Sequence, residues 1–475
     1  MLALDAGSTG TRGGLFDATG RPIQSTRLKV DHAFRTSTKG RAEIDADTIV
    51  EELAAVLTAV AKPAFSGRIA AVALDTFPAT VGVDTDDAAL TPAYTYAEGR
   101  SAPYVTKLRQ QLDEAALQQR TGARLGIAYA PARLAWLRNT QPDTFELVST
   151  WMTLGEYVAA RLLGARGVDM GVAAWTGLLN RTTGTWDQEV IAAVGARLDQ
   201  FAPVLPAGTV FRDIPRSVTK RWPALKGAVW LPAIPDGVAS HVGPGIEGVT
   251  LSSSTSGSLR MLVRGSPERV PTGLWAHRTD PDHTMVGGTL GDVGRVISWM
   301  DTVLAASSRG MRNAWLSGPP HEFSPVMLPF LTGEKSVGWH QEARAALAGL
   351  SAQTDLAAFF RGAVEGVAFA YRRVLEQIVE VSGPVPRVVA TGGISQSLPG
   401  WLNVAAGALN LPVTPVPIKR STLRGTALRA LDVVAPEVER RNPPLGAVLE
   451  PDERWVGEYQ SRYERWLQLY AGTIS

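Results

Sequence analysis

Cysteine is absent from all 475 residues, which excludes disulfides, thiolate metal sites and cysteine nucleophiles, so that any metal must be held by oxygen or imidazole. A surplus of one charge is missing as well. The 47 Lys and Arg nearly balance 45 Asp and Glu, leaving +2, and no field of that size argues for nucleic acid or anionic lipid as a partner. No uninterrupted apolar run is long enough to span a bilayer, and the opening MLALDAGSTG has neither the basic flank nor the apolar core of a signal peptide. A cytoplasmic protein with no membrane partner is expected. What is present is ample apolar material: hydrophobic residues make up 45% and charged residues 19%, enough to fold, in a chain too long for one ordinary core. A two-lobed enzyme fits that length.

The first residues, LALD, form an apolar run ending in an acid, then the turn-rich AGSTGTRGG and LFDATGRPI, which predicts strand, tight turn, strand, with a second hairpin turn at Ala18-Thr19-Gly20. GVTLSSSTSGSLRMLVRG repeats the device far downstream: an apolar run, a Ser/Thr/Gly turn, an Arg just after it and another apolar run. Similarity at so long a separation suggests two related lobes rather than a solenoid, although two polar turns can also resemble each other by chance. DADTIVEELAAVLTAVAK is predicted helical. So is 354 to 380, where Phe360, Val364, Val367, Tyr371, Val374 and Ile378 recur at helical period as a core stripe, and Gly362 and Gly366 would let another helix approach closely. Proline-rich segments at 202 to 206 and 215 to 235 suit a boundary or a long connection, and the lobe junction is placed near 240 to 250. This gives an N-terminal domain over 1–244 and a C-terminal domain over 245–475.

Nucleotide phosphates need several donors at close range, and a Gly/Ser/Thr turn supplies backbone N–H groups and hydroxyls without bulk. Ser8, Thr9, Gly10 and Thr11 have that character, as do Thr255, Ser256, Gly257 and Ser258 in the second turn; read singly, either could be an ordinary polar hairpin. Asp5 would repel phosphate unless a cation lay between them, which makes it a Mg²⁺ candidate, and Arg12 could neutralise phosphate charge. Gly333-Glu334-Lys335-Ser336 is no Walker loop, since Glu separates the glycine from the lysine, and GSTGTRGG lies between two strands rather than opening a helix as a dinucleotide fingerprint would. In VVATGGISQS, Gly392-Gly393 could let adenine lie against bare backbone or could simply turn a strand into a helix. LPAIPDGVASHVGPG offers Asp236 as a base for a substrate hydroxyl, though Pro-Asp-Gly can also be a plain β-turn.

Taken together, these segments resemble the FGGY family of carbohydrate kinases, over nearly the whole chain. LALDAGSTGTRGGLFDATG is similar to the family's first phosphate motif, SSSTSGSLRML to its second, IPDGVASHVGPG to the segment bearing the catalytic base, and TPAYTYAEGRSA to the substrate-lobe motif. AWTGLLNRTTGTWD, PFLTGEKSVGW, RGAVEGVAFAYRRVLEQI, ATGGISQSLPGWLNVAAGALNLPV and STLRGTALRA agree in order. The resemblance implies an α/β fold of two actin/hexokinase-like (ribonuclease H-like) domains around a central cleft. It implies Asp236 as general base, Asp5 near Mg²⁺, and Ser8, Thr9, Thr11, Arg12, Thr255 and Ser256 around the phosphates of ATP. Gly392, Gly393 and Gln396 would line the nucleotide site, and Tyr96, Glu98 and Arg100 the substrate site. A homodimer is implied as well.

Departures gather where a sugar should bind. Thr76, Phe77 and Pro78 stand where the family commonly has Gln, Met or Trp, and His, while Tyr96 and Glu98 replace Trp and Asp. A carboxylate one carbon longer moves its oxygens by about a bond length, and a misfit of order 1 Å matters in catalysis. Ser254 occupies a usual glycine position of the second motif. TPAYTYAEGRSA, GLW near 273 and GEKSVGW lean toward gluconate kinase-like members. The expected activity is therefore phosphoryl transfer from Mg·ATP to a sugar or sugar acid, with an aldonate ahead of a pentulose such as xylulose or ribulose. A catalytically weak, nucleotide-dependent sugar sensor is the rival of another class.

Overall fold

The structure is a computed structural model that describes residues 1–24, 26–303, 308–418 and 420–474. Both hairpins expected from the sequence form. Leu2–Gly7 pairs antiparallel with Gly10–Leu15 and parallel with Ala71–Thr76; Val249–Ser253 pairs antiparallel with Gly257–Arg264 and parallel with Val388–Thr391. Each hairpin thus lies at the centre of a six-stranded mixed sheet and is flanked by a parallel strand, so the repeated sequence device corresponds to a repeated topology. The strand Leu2–Gly7 reads as an apolar run because helices cover both faces of its sheet.

The helix Ala46–Val60 begins at Asp45, whose carboxylate accepts from the N–H of Asp47 at 2.9 Å, and buries Ile49, Leu53, Val56 and Leu57 against the first sheet. Gly13 makes the close approach possible: a Cβ there would lie 2.3 Å from Val56 Cγ1. The long helix runs Leu356–Ser382 and buries the predicted stripe. Gly362 and Gly366 admit an extended segment rather than a second helix, since their missing Cβ atoms face the carbonyls of Pro325 and Met327 at 2.3 and 2.2 Å.

Asp236 opens the helix Asp236–Val242, so Pro-Asp-Gly is a helix start and not a β-turn. This helix packs backbone to backbone on Ser421–Val434, where a Cβ at Gly425 would sit 1.7 Å from the carbonyl of Ala239. Although Ser421–Val434 comes late in the chain, it covers the first sheet, with Leu423, Ala427 and Leu428 against Met1, Ala3 and Ala73. The lobes also meet at their rim, where the Gln118 side-chain amide donates to the carbonyls of Pro271, Thr272 and Leu274. Among the described residues no helix is long and apolar enough to cross a membrane.

Candidate active site

Asp5 and Asp75 lie opposite each other in the register of two parallel strands, and Ile234, in the short strand Ile234–Pro235, lies opposite Asp75 on the other side. Asp236 follows two residues later. With neighbouring strands about 4.8 Å apart, the backbones carrying Asp5 and Asp236 are on the order of 10 Å apart, a gap able to take a phosphoryl group and its acceptor. The sheet ends in three acids because all three strands stop at the same edge.

Burial raises the Asp236 carboxyl to about 7, with the charge of Asp5 adding to the effect, while Arg260 and the N–H of Gly237 oppose it. Arg260 comes from the hairpin of the other lobe and is anchored by donating to Ser240 Oγ at 2.8 Å, so Asp236 stands between an acid of one lobe and a cation of the other. Burial also raises Asp5, against the pull of Arg12, whose Nη1 is 3.1 Å from its Oδ2. Asp75 is fully buried and is raised well above the carboxylate range by burial first and the charge of Asp5 second. Its Oδ2 accepts from the Thr426 hydroxyl, and its buried Oδ1 has no partner among the described residues. Two adjoining buried acids, one of them with an oxygen that no described residue satisfies, fit a divalent ion, and Mg²⁺ needs only one or two protein carboxylates when phosphates and waters complete its shell.

The first turn presents Ser8 and Thr9 outward. Gly10 has φ +147°, and a Cβ there would come within 2.5 Å of the Val30 carbonyl. Arg12 Nη2 donates to Thr9 Oγ1 at 3.3 Å, and Ser8 lies within hydrogen-bond reach of the Tyr96 phenol, which also senses the charge of Asp236. Thr11 does not join this group. The pleat turns it to the opposite face, where its buried hydroxyl donates to Glu52 Oε2 at 2.6 Å. Glu52 also meets His32 Nδ1 at 2.8 Å, and His32 Nε2 meets the Gly7 carbonyl at 2.9 Å, so Thr11 belongs to the buttress beneath the turn.

In the second lobe Ser254, Thr255 and Ser256 are exposed, and the carbonyls of Ser254 and Thr255 accept from the N–H groups of Gly294 and Arg295 at the start of the helix Gly294–Val303. Gly392 joins the strand Val388–Thr391 to the helix Gly393–Ser397 at φ +100°, its missing Cβ 2.2 Å from the Ser253 carbonyl, whereas nothing lies within 4 Å of a Cβ at Gly393. Ser253 Oγ meets Ser395 Oγ at 2.8 Å, tying the glycine pair to the second turn, and Gln396 is exposed beside it. The glycine pair therefore is a strand-to-helix turn and also leaves open space over Gly393.

Thr76, Phe77 and Pro78, expected at the substrate site, line a small pocket together with Arg133, Trp175 and Pro235. Glu98 and Arg100 are not among its lining residues. Glu98 is fully buried, its oxygens taken by Arg100 and by the N–H of Ala42, and Arg100 also pairs with Glu43 and lies 4.6 Å from the Trp136 ring centroid. Glu334 of the Gly333-Glu334-Lys335-Ser336 segment pairs with Arg373 at 2.9 Å and is a structural acid. Sequence reading missed Asp75, Arg260, Arg133, Trp175 and Thr426. VALDT repeats the LALDA pattern of an apolar run closed by Asp, which was signal enough for Asp75.

A pair of like-built lobes, each with a hydroxyl-rich turn in the central hairpin of its sheet, and three acids gathered along the edge of the first sheet make up the actin/hexokinase-like fold. The profile of the "FGGY family of carbohydrate kinases, N-terminal domain" matches residues 1–243 and that of its C-terminal domain residues 251–431. The chain belongs to the FGGY family of carbohydrate kinases and is a phosphotransferase with an alcohol group as acceptor. It is 23% identical over 415 residues to the gluconokinase of Bacillus subtilis, spanning 84% of this chain and 80% of that protein. In fold it matches a gluconate kinase from Lactobacillus acidophilus with TM-score 0.91 at 22% identity, covering 99% of this chain and 97% of that one. A ligand-bound xylulose kinase from the same organism gives TM-score 0.92 at 22% identity, with the same coverage.

Proposed function

We infer that this kinase phosphorylates an aldonate, gluconate or a close relative, using Mg·ATP. The observation that carries the reading is Asp236: a carboxyl raised to about 7, standing between Asp5 and Arg260 at the end of the strand next to Asp75, is tuned to accept a proton near neutral pH. The substrate preference is supported by the gluconokinase relative and by the pocket described above.

In this reading Asp236 takes the proton of the attacking hydroxyl. Asp5, with Asp75 beside it, would hold the Mg²⁺, which supplies neutralisation of phosphate charge. Ser8, Thr9 and Arg12 from one lobe and Thr255 and Ser256 from the other hold the phosphates. Adenosine lies over Gly393, with Gln396 at its edge, and Tyr96 closes the acceptor side.

The test is ADP release with Mg·ATP across aldonates, pentuloses, hexuloses and polyols. Turnover of gluconate or another aldonate above all other classes, lost in Asp236→Asn, is expected. Turnover confined to pentuloses would overturn the aldonate assignment, and silence across the panel with intact nucleotide binding would make the protein a sensor.

A further inference from the structure

Arg133 and Trp175 line the pocket of Thr76, Phe77 and Pro78, and each carries a buried N–H, Arg133 Nε and Trp175 Nε1, that has no partner among the described residues. Neither group can accept a hydrogen bond, so each asks its ligand for an acceptor. Arg133 projects from the first turn of the helix Ala130–Thr140 and is 1% exposed. Its other nitrogens reach only neutral groups: Nη1 donates to the carbonyls of Ile127 at 2.9 Å and Thr95 at 3.3 Å, and Nη2 to Thr80 Oγ1 at 3.3 Å. It forms no ion pair with any described residue. The acid whose charge it feels is Glu98, and that carboxylate is already saturated by Arg100 and the N–H of Ala42. Burial pulls Arg133 down to about 10, which still leaves it cationic at neutral pH. A buried cation without a counter-charge is costly to the folded protein, and an anion entering the pocket relieves that cost.

The pocket adjoins the reacting end of the site. Pro235 lines it, and a Cβ on Gly237 would meet the Trp175 ring at 2.0 Å, so both neighbours of Asp236 touch it. Trp175 is held from behind by Trp275 and His277 of the other lobe, at ring separations of 6.1 and 5.4 Å.

We propose that Arg133 and Trp175 form the receptor for the carboxylate of an aldonate acceptor, and that Arg133 is the residue by which this kinase prefers a polyhydroxy acid to the corresponding neutral polyol. The proposal rests on the aldonate reading above. A carboxylate offers acceptor sites to both donors and brings the missing charge, whereas a polyol hydroxyl must also find an acceptor and brings none.

The test compares gluconate with D-glucitol, its carboxylate-free counterpart, each measured as substrate or as competitive inhibitor, in the wild type and in Arg133→Met. Wild type should favour gluconate, and Arg133→Met should lower the ratio of the two specificity values by about 30-fold or more, as removal of a buried charge partner does. General structural damage lowers both values together and leaves the ratio where it was. If Arg133→Met does not fold, Arg133→Lys and Trp175→Phe carry the test, each expected to lower the ratio severalfold. A wild-type preference for gluconate that these variants leave intact overturns the receptor while sparing the aldonate reading. A wild type that phosphorylates pentuloses or polyols and ignores aldonates overturns both.

Discussion

Asp5 and Asp75 occupy opposed positions on the parallel strands Leu2–Gly7 and Ala71–Thr76, so the acid expected to face the nucleotide's cation has a second acid at its side. The pair is asymmetric. Asp5 carries the Arg12 guanidinium at 3.1 Å, whereas Asp75 is sealed in and takes the Thr426 hydroxyl, which arrives from a helix late in the chain. The acid edge of the first sheet is thereby fastened to the helix that also carries the packing of Asp236–Val242.

Asp75→Asn separates the two demands on this pair. The amide keeps an acceptor for Thr426 and removes a buried carboxyl that is hard to ionise, so the melting temperature at pH 8 should stay level or rise. If Asp75 helps hold the cation, the Mg²⁺ concentration for half-maximal activity should rise by about tenfold, the lower range for losing a group beside a metal ligand. A Mg²⁺ titration of ADP release with both proteins reads the shift. An unchanged requirement would confine Asp75 to a structural role.

Thr11→Val tests the assignment of Thr11 to the buttress. The substitution keeps the shape and strips a 2.6 Å donor from buried Glu52, which His32 alone then satisfies. An unmade bond to a buried charged group costs about 1–3 kcal/mol, so thermal or denaturant unfolding should register a loss of that order. The KM for ATP should move less than in Thr9→Val, whose hydroxyl lies on the open side of the turn. The reverse ranking would return Thr11 to the phosphates.

Much of this was legible in sequence because it is local. A polar turn between apolar runs makes a hairpin wherever it occurs, and the stripe from Phe360 to Ile378 specifies a helix without help from elsewhere. Asp5 and Asp236 could be singled out because each ends a short apolar segment beside glycine. The convergence of Asp5, Asp75 and Asp236 depends on strand order, which no local pattern encodes. Arg260 and Thr426 reach the acids only through the packing of the two lobes. Thr11 was misplaced for a simpler reason: strand residues alternate faces, and a hydroxyl one step from the turn already points into the core. Gly362 and Gly366 announced a close approach correctly but could not say that a strand, rather than a helix, makes it.

The glycine pair separates fold from ligand. Gly392→Ala forces a Cβ into a left-handed backbone at φ +100° and within 2.2 Å of the Ser253 carbonyl, so a substantial fall in stability is expected, along with displacement of the second turn. Gly393→Ala meets nothing within 4 Å in the protein. Its melting temperature should therefore hold, and any cost should fall on the KM for ATP, where a severalfold rise is expected. Isothermal titration with a non-hydrolysable nucleotide distinguishes the two, and normal nucleotide affinity in Gly393→Ala would move the adenosine elsewhere.

Asp236 sets the expected pH behaviour. A base must be deprotonated to act, so kcat/KM should rise with pH and level off above about 7, and Asp236→Asn should cost about 10²–10⁴ in rate. The stability effect has the opposite sign. Because the folded-state value lies above the unfolded one of about 3.9, the folded protein holds this proton more tightly, and its stability falls as pH rises from about 4 through 7. Asparagine cannot ionise and escapes that loss, so Asp236→Asn should melt above the wild type at pH 8, while the difference closes toward pH 4. Differential scanning fluorimetry across that range, paired with the rate profile, reads both. A variant that loses activity without gaining stability at pH 8 would mean that Asp236 is not a strained, elevated acid and would remove its claim to be the base.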